Sequence, residues 1–105
     1  MHILIISFRL EGMDAEGFHE LCHELAPTWA QIPGLISKVW LEDPDSNTFG
    51  GVYTWESRAA MNDFLQSDLF DAIASNPNFA DATAKTYGVI EAPTRVTRGL
   101  AAIPA

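Results

Sequence analysis

The sequence predicts an α+β chain of ferredoxin-like βαββαβ order: an antiparallel four-stranded sheet with two helices on one face. Three observations carry this. Four short runs rich in β-branched and aromatic residues are interleaved with two longer runs whose apolar residues recur at helical spacing. The five-residue cluster Asp43-Pro44-Asp45-Ser46-Asn47 is a turn signal that makes a hairpin of the second and third strand runs. Several strands are also apolar on both sides, so the sheet needs cover on two faces while the helices supply only one.

The first strand is read over His2–Arg9, with Leu4, Ile6 and Phe8 facing one way and Ile3, Ile5 and Ser7 the other. A helix follows Met13: Asp14 is a good N-cap, and Phe18, Leu21, Cys22, Leu25 and Trp29 share one face. Pro27 disturbs its last turns and Pro33-Gly34 stops it. Strands are read over Leu35–Glu42 and Thr48–Trp55; within the latter, Gly50-Gly51 marks a bulge or a close backbone approach where a side chain does not fit. Ser57 caps the second helix, whose inner face carries Met61, Phe64 and Leu65, and Ser67-Asp68 restarts it with Phe70 and Ile73 inward. Asn76-Pro77-Asn78 ends the helical region, and Ala82–Ile90 is the fourth strand. Residues 1–92 are taken as the folded domain and 93–105 as a C-terminal tail without clear period.

A chain of 105 residues, 48% of them hydrophobic, forms one domain with a core of its own. Its net charge of -8 repels polyanions, and its six basic residues do not cluster, which argues against nucleic acid and acidic membranes as partners. Cys22 is the only cysteine, so no internal disulfide is possible. The apolar start lacks the basic residues and small-residue exit of a signal peptide, and no run reaches membrane-spanning length, so the expected location is the cytoplasm.

Residues able to carry chemistry are few. Lys38 and Trp40 share a strand face with Ile36 and Glu42. An amine among apolar neighbours can hold a phenolate or enolate by charge, its pKa lowered by burial; the alternative is a salt bridge to Glu42 or another carboxylate. Trp40, Tyr53, Trp55 and Tyr87 sit on adjacent strands and can wall a flat apolar pocket, with Trp29 closing it from the first helix; the alternative for each is plain packing. His23 is a candidate general base and Asn62 a candidate amide donor to a substrate carbonyl. His19-Glu20-Leu21-Cys22-His23 matches the H-E-x-x-H zinc pattern, but both histidines fall on the flank of the helix's apolar face, so no metal is expected. No nucleotide fingerprint, phosphate loop or nucleophile elbow occurs.

The stretch 33–65, PGLISKVWLEDPDSNTFGGVYTWESRAAMNDFL, resembles the YdhR-type monooxygenases of the dimeric α+β-barrel superfamily, which includes the antibiotic-biosynthesis monooxygenases. The likeness rests on Pro33-Gly34, Lys38-Val39-Trp40, the acidic hairpin and Gly50-Gly51-Val52-Tyr53. It implies a homodimer whose sheets form a barrel, with an apolar cavity in each subunit. It also implies an oxygenase that joins molecular oxygen to a small aromatic or polyketide-like molecule with no cofactor. In that scheme Lys38, Tyr53 and His23 are the catalytic candidates, and Trp40, Trp55, Tyr87, Trp29 and Asn62 bind substrate. Haem-degrading relatives ligate iron through a histidine on the second helix, and none lies between Ser57 and Pro77. Two other readings share the fold: a small-ligand-binding dimer without catalysis, and a decarboxylase, cyclase or isomerase.

Overall fold

The computed structural model describes residues 1–99. Strand β1 (His2–Leu10) is one of the two inner strands of the sheet. It pairs antiparallel with β3 (Thr48–Trp55) on one side and β4 (Phe79–Gly88) on the other; β2 (Leu35–Asp43) pairs with the free edge of β3, giving the order β2-β3-β1-β4. The hairpin turn is one short 3-10 turn, Pro44–Ser46, closed by Asn47 at φ 50. The Asn47 amide donates to the Leu10 carbonyl at 3.0 Å, which ties the hairpin to the end of β1.

Helix α1 (Ala15–Trp29) begins where Asp14 accepts from the Gly17 N–H at 2.8 Å. Pro27 has no N–H to donate, yet the helix continues far enough to bury Trp29. The second helical region is two helices, α2 (Arg58–Leu65) and α3 (Asp68–Ala74), each capped by a serine hydroxyl: Ser57 accepts from Ala60 at 3.1 Å and Ser67 from Phe70 at 3.2 Å.

Two boundaries differ from the sequence reading. β4 starts at Phe79, not Ala82, and ends at Gly88. Phe79 lies opposite Leu10 and its ring stacks on Phe8 at 4.2 Å, while Asp81 takes a positive φ of 55 where the register with β1 shifts. A strand with such an irregularity loses its alternation in the sequence. Helix α4 (Glu91–Val96) occupies part of the segment without period. Its first residue, Glu91, meets the Met1 ammonium at 3.2 Å and pairs one turn along the helix with Arg95 at 3.2 Å. What the sequence reading leaves open about the last six residues, 100–105, lies outside the described residues.

The helix-facing side of the sheet buries Leu4, Ile6, Phe8, Leu10, Phe49, Tyr53 and Trp55 against Phe18, Trp29, Met61 and Phe64, none more than 8% exposed. Each such aliphatic or aromatic side chain contributes about 1.5–3 kcal/mol by leaving water. The opposite side carries Ile3, Ile5 and Val52, with Val39, Leu41 and Tyr87 open to solvent. Among the described residues no helix is long and apolar enough to cross a membrane.

The Gly50-Gly51 pair marks a close approach. A Cβ at Gly50 falls 1.9 Å from the Ile6 carbonyl oxygen, which belongs to backbone that cannot give way without breaking the β1–β3 pairing. Gly50→Ala is therefore expected to lower stability by about 1–3 kcal/mol or more in urea unfolding. Gly88→Ala, whose nearest neighbour stands at 3.9 Å, is expected to be nearly neutral; equal effects at the two positions would contradict the close-approach reading.

Candidate functional site

The hairpin register sets Lys38 opposite Tyr53, Trp40 opposite Gly51 and Glu42 opposite Phe49, with all three β2 side chains on the helix side of the sheet. The Lys38 arm crosses Gly51. A Cβ at Gly51 stands 2.8 Å from Lys38 Cε and 3.3 Å from Tyr53 Cε1, so the missing side chain is what admits the amine. Nζ ends 3.3 Å from the centre of the Trp40 ring, 4.2 Å from Trp29 and 4.6 Å from Tyr53. Trp29 is supplied by α1 and meets Trp40 and Tyr53 edge-on, at 6.5 Å and 5.8 Å. The result is an aromatic cage closed around one amine.

Among the described residues no carboxylate pairs with Lys38. Glu42, its sequence-level candidate partner, instead accepts from the His19 imidazole on α1. Burial draws the Lys38 pKa down to about 7, and the charge it would carry next to Cys22 offsets this only in part. The ring faces act in the opposite direction, since their quadrupoles favour the ammonium. The amine is thus poised to gain or lose a proton near neutrality. Burial pushes the Tyr53 phenol well above its usual range, so it stays neutral and can only donate or accept a hydrogen bond. Burial also raises the Cys22 thiol, with Lys38 pulling it the other way, and Cys22 remains a thiol rather than a nucleophilic thiolate.

Three spaces meet at this cage. A small cavity of about 30 Å³, half open to solvent, lies between α1, α3 and the sheet, bordered by Lys38, Tyr53, Trp29 and Trp40. A cleft of about 240 Å³ runs where the end of α1 passes the start of β2, and it shares Lys38, Trp29 and Trp40 with the cavity. A groove of about 500 Å³ follows the flank of α1 past His19, His23, Cys22 and Trp40. The hollow beneath α1 is therefore much smaller than a roomy apolar pocket, because Trp40 and the Lys38 arm fill it. The Trp29 Nε1–H is buried with no hydrogen-bond partner among the described residues, on a side chain that borders both cavity and cleft.

Lys38, Trp40, Tyr53 and Trp29 are brought together. Trp55 stacks parallel to Tyr53 at 6.3 Å but is wholly buried, and it supports the cage from behind. His23 lines the outer groove and is exposed. Asn62 is exposed on α2 and borders none of the three spaces. Tyr87 does not join the others: it lies level with Ile3 on the opposite face of the sheet, 53% exposed. The kink at Asp81 fixes this register, and side chains two apart share a face, so Tyr87 follows Lys85 and Thr83 outward. The H-E-x-x-H run places both histidines on the exposed flank of α1, and among the described residues no three His, Cys, Asp or Glu side chains group as metal ligands. Gly51 is the residue that reading by chemistry overlooks, since it acts by leaving room; its signal was the glycine pair inside a strand.

Comparison with known proteins places this geometry in context. A search of curated proteins gives no match. Among solved structures the chain is similar to SnoaB, a cofactor-independent oxygenase from Streptomyces nogalater in a mutant form, with TM-score 0.66 and 17% identity over 86% of this chain and 93% of that one. An antibiotic biosynthesis monooxygenase aligns with TM-score 0.67 and 18% identity over 86% and 99%. The haem-degrader MhuD from Mycobacterium tuberculosis, with two haems bound, aligns with TM-score 0.69 and 17% identity over 86% and 96%. These likenesses establish a shared fold. The family resemblance read in residues 33–65 extends much further: the profile described as "Putative mono-oxygenase ydhR" matches residues 3–100, and the chain belongs to that family.

Proposed function

We propose that this protein is a monooxygenase of the cytoplasm that inserts oxygen into a small aromatic or polyketide-like phenol, using neither metal nor flavin. The observation that carries the reading is the uncompensated amine of Lys38, held among three rings beside a cleft of about 240 Å³. The oxygenase activity named for SnoaB supports the same class of reaction.

In this mechanism the organic substrate enters the cleft against Trp29 and Trp40, whose faces position its ring. The neutral Lys38 amine takes the phenolic or enolic proton. The ammonium so formed stays beside the new oxyanion and within the ring cage, where low polarity strengthens the attraction. The substrate anion then reduces dioxygen directly. One oxygen atom bonds to the substrate carbon and the other leaves as water with the two hydrogens that the carbon gives up, so a CH2 group becomes a carbonyl. Tyr53, neutral throughout, supports the amine from below. His23 on the outer groove serves proton exchange with solvent.

Oxygen-electrode assays with candidate phenols in metal-free buffer test the reading. Uptake is expected, with kcat/KM rising with pH and levelling above about 7, where the amine is neutral. Lys38→Met is expected to lower kcat by about 10²-fold or more. Unchanged activity in that variant sinks the assignment, and a ligand retained through purification but unaltered by air favours a binding protein.

The same amine makes stability depend on pH. Its folded pKa of about 7 lies below the 10.5 of an exposed lysine, so the burial penalty is complete below pH 7 and relieved as pH rises toward 10.5. Urea unfolding at pH 7, 8 and 9 should show the natural protein gaining on Lys38→Met by up to about 1.4 kcal/mol per pH unit. A constant difference would mean an amine with an ordinary pKa.

The bare sheet face is the surface of a homodimer in this proposal, with Ile3, Ile5, Val39, Val52 and Tyr87 meeting a second copy. Light scattering after size exclusion should give twice the 11.5 kDa of one chain, and Val39→Asp should shift it toward the single-chain mass. A single-chain mass for the natural protein at micromolar concentration contradicts the dimer.

A further inference from the structure

A neutral amine carries a lone pair that serves bond formation as well as proton transfer. We propose that Lys38 is a nucleophile toward carbonyl compounds, its amine forming a reversible imine with an aromatic aldehyde or ketone seated in the cleft of about 240 Å³. This activity uses the same amine as the oxygenase reaction but needs no oxygen, and it stands apart from that reading.

The setting of the amine argues first. A lysine attacks carbon only when its amine is neutral, and a carboxylate partner opposes this by holding the proton in place. Among the described residues none pairs with Lys38. The other two amines of the chain are placed differently: the Met1 ammonium meets Glu91 at 3.2 Å, and Lys85 stands exposed on β4. Burial draws the Lys38 pKa down to about 7, so about half of its amine is unprotonated at neutral pH. An ordinary exposed lysine is neutral there in less than about one part in 10³. Cys22 on α1 and Tyr53 on β3 do not compete for the carbonyl as anions, because burial raises the pKa of both.

The cleft and the cage argue second. Trp29, Trp40 and Lys38 line the cleft together, and a cavity of about 150 Å³ already takes up benzene, so one aromatic ring fits beside the amine. The Nζ lone pair bonds to the carbonyl carbon, and the π pair of the carbonyl moves onto oxygen. Both amine hydrogens then leave with that oxygen as water, and the nitrogen pair closes the C=N bond. Protonation of this nitrogen gives an iminium cation where the ammonium stood. The faces of Trp40, Trp29 and Tyr53, at 3.3, 4.2 and 4.6 Å from Nζ, favour a cation at that point whether it is ammonium or iminium. The cage that surrounds the free amine therefore also stabilises its covalent product.

Anaerobic incubation of the full chain with benzaldehyde, followed by sodium borohydride and peptide mapping, tests the inference. Borohydride delivers hydride to the imine carbon and leaves a benzyl group fixed on the lysine. At pH 7 benzylation of Lys38 is expected to exceed that of Lys85 by about tenfold or more. Glyceraldehyde, which is polar and has no ring to pack on indole, is expected to show a several-fold smaller preference. Equal benzylation of the two lysines overturns the nucleophile, and an equal preference with both aldehydes overturns the aromatic class of its partner. Preferential benzylation of Lys38 without oxygen uptake on any phenol supports the imine and removes the oxygenase reading. Oxygen uptake without preferential benzylation does the reverse.

Discussion

A lysine amine enclosed by aromatic rings without a carboxylate in reach is an expensive arrangement. Desolvation penalises its charged form, while three ring faces partly restore it. Burial leaves a group whose pKa is drawn down to about 7, which neither an exposed lysine nor a salt-bridged one offers. Every other feature of the site either maintains that state or exploits it. Glu42, two places beyond Trp40 on the same strand face, pairs with the His19 imidazole on the groove side rather than with the amine.

The scaffold reaches this state through strand pairing more than through any helix. β1 sits between β3 and β4, and its close approach to Gly50 locks the strand that carries Tyr53 and Trp55. Gly51 then leaves the gap through which the Lys38 arm passes. Trp29 completes the cage from α1, which holds its helical path past Pro27 just long enough to deliver the ring. Burial of the aromatic core offsets the destabilising lysine.

Much of this was legible in the chain. The βαββαβ order, the serine and aspartate caps, the hairpin turn and the restart at Ser67 are local signals, and each stands where the sequence puts it. Lys38, Trp40 and Tyr53 were recognisable because strand alternation and a hairpin register are nearly enough to set them side by side. Tyr87 was not placeable, because its face depends on the irregularity around Asp81 that no local pattern announces. Helix α4 is only six residues long, too short for apolar residues to recur at helical spacing, and so left no periodic trace. The volume of the cavity was equally out of reach, since it depends on which rotamers Trp40 and Lys38 adopt once the rings pack.

The protonation of Lys38 is the most direct point of attack on the account as a whole. The chain has two lysines, Lys38 and Lys85, so a protein labelled with carbon-13 at lysine Cε gives two resolvable signals, and Lys85 on the open face of β4 serves as an internal reference. The account predicts one signal shifted by ring currents and titrating near pH 7, absent in Lys38→Met, and a second that the substitution leaves in place. A Lys38 signal without a ring-current shift, titrating near the 10.5 of an exposed lysine, would contradict it.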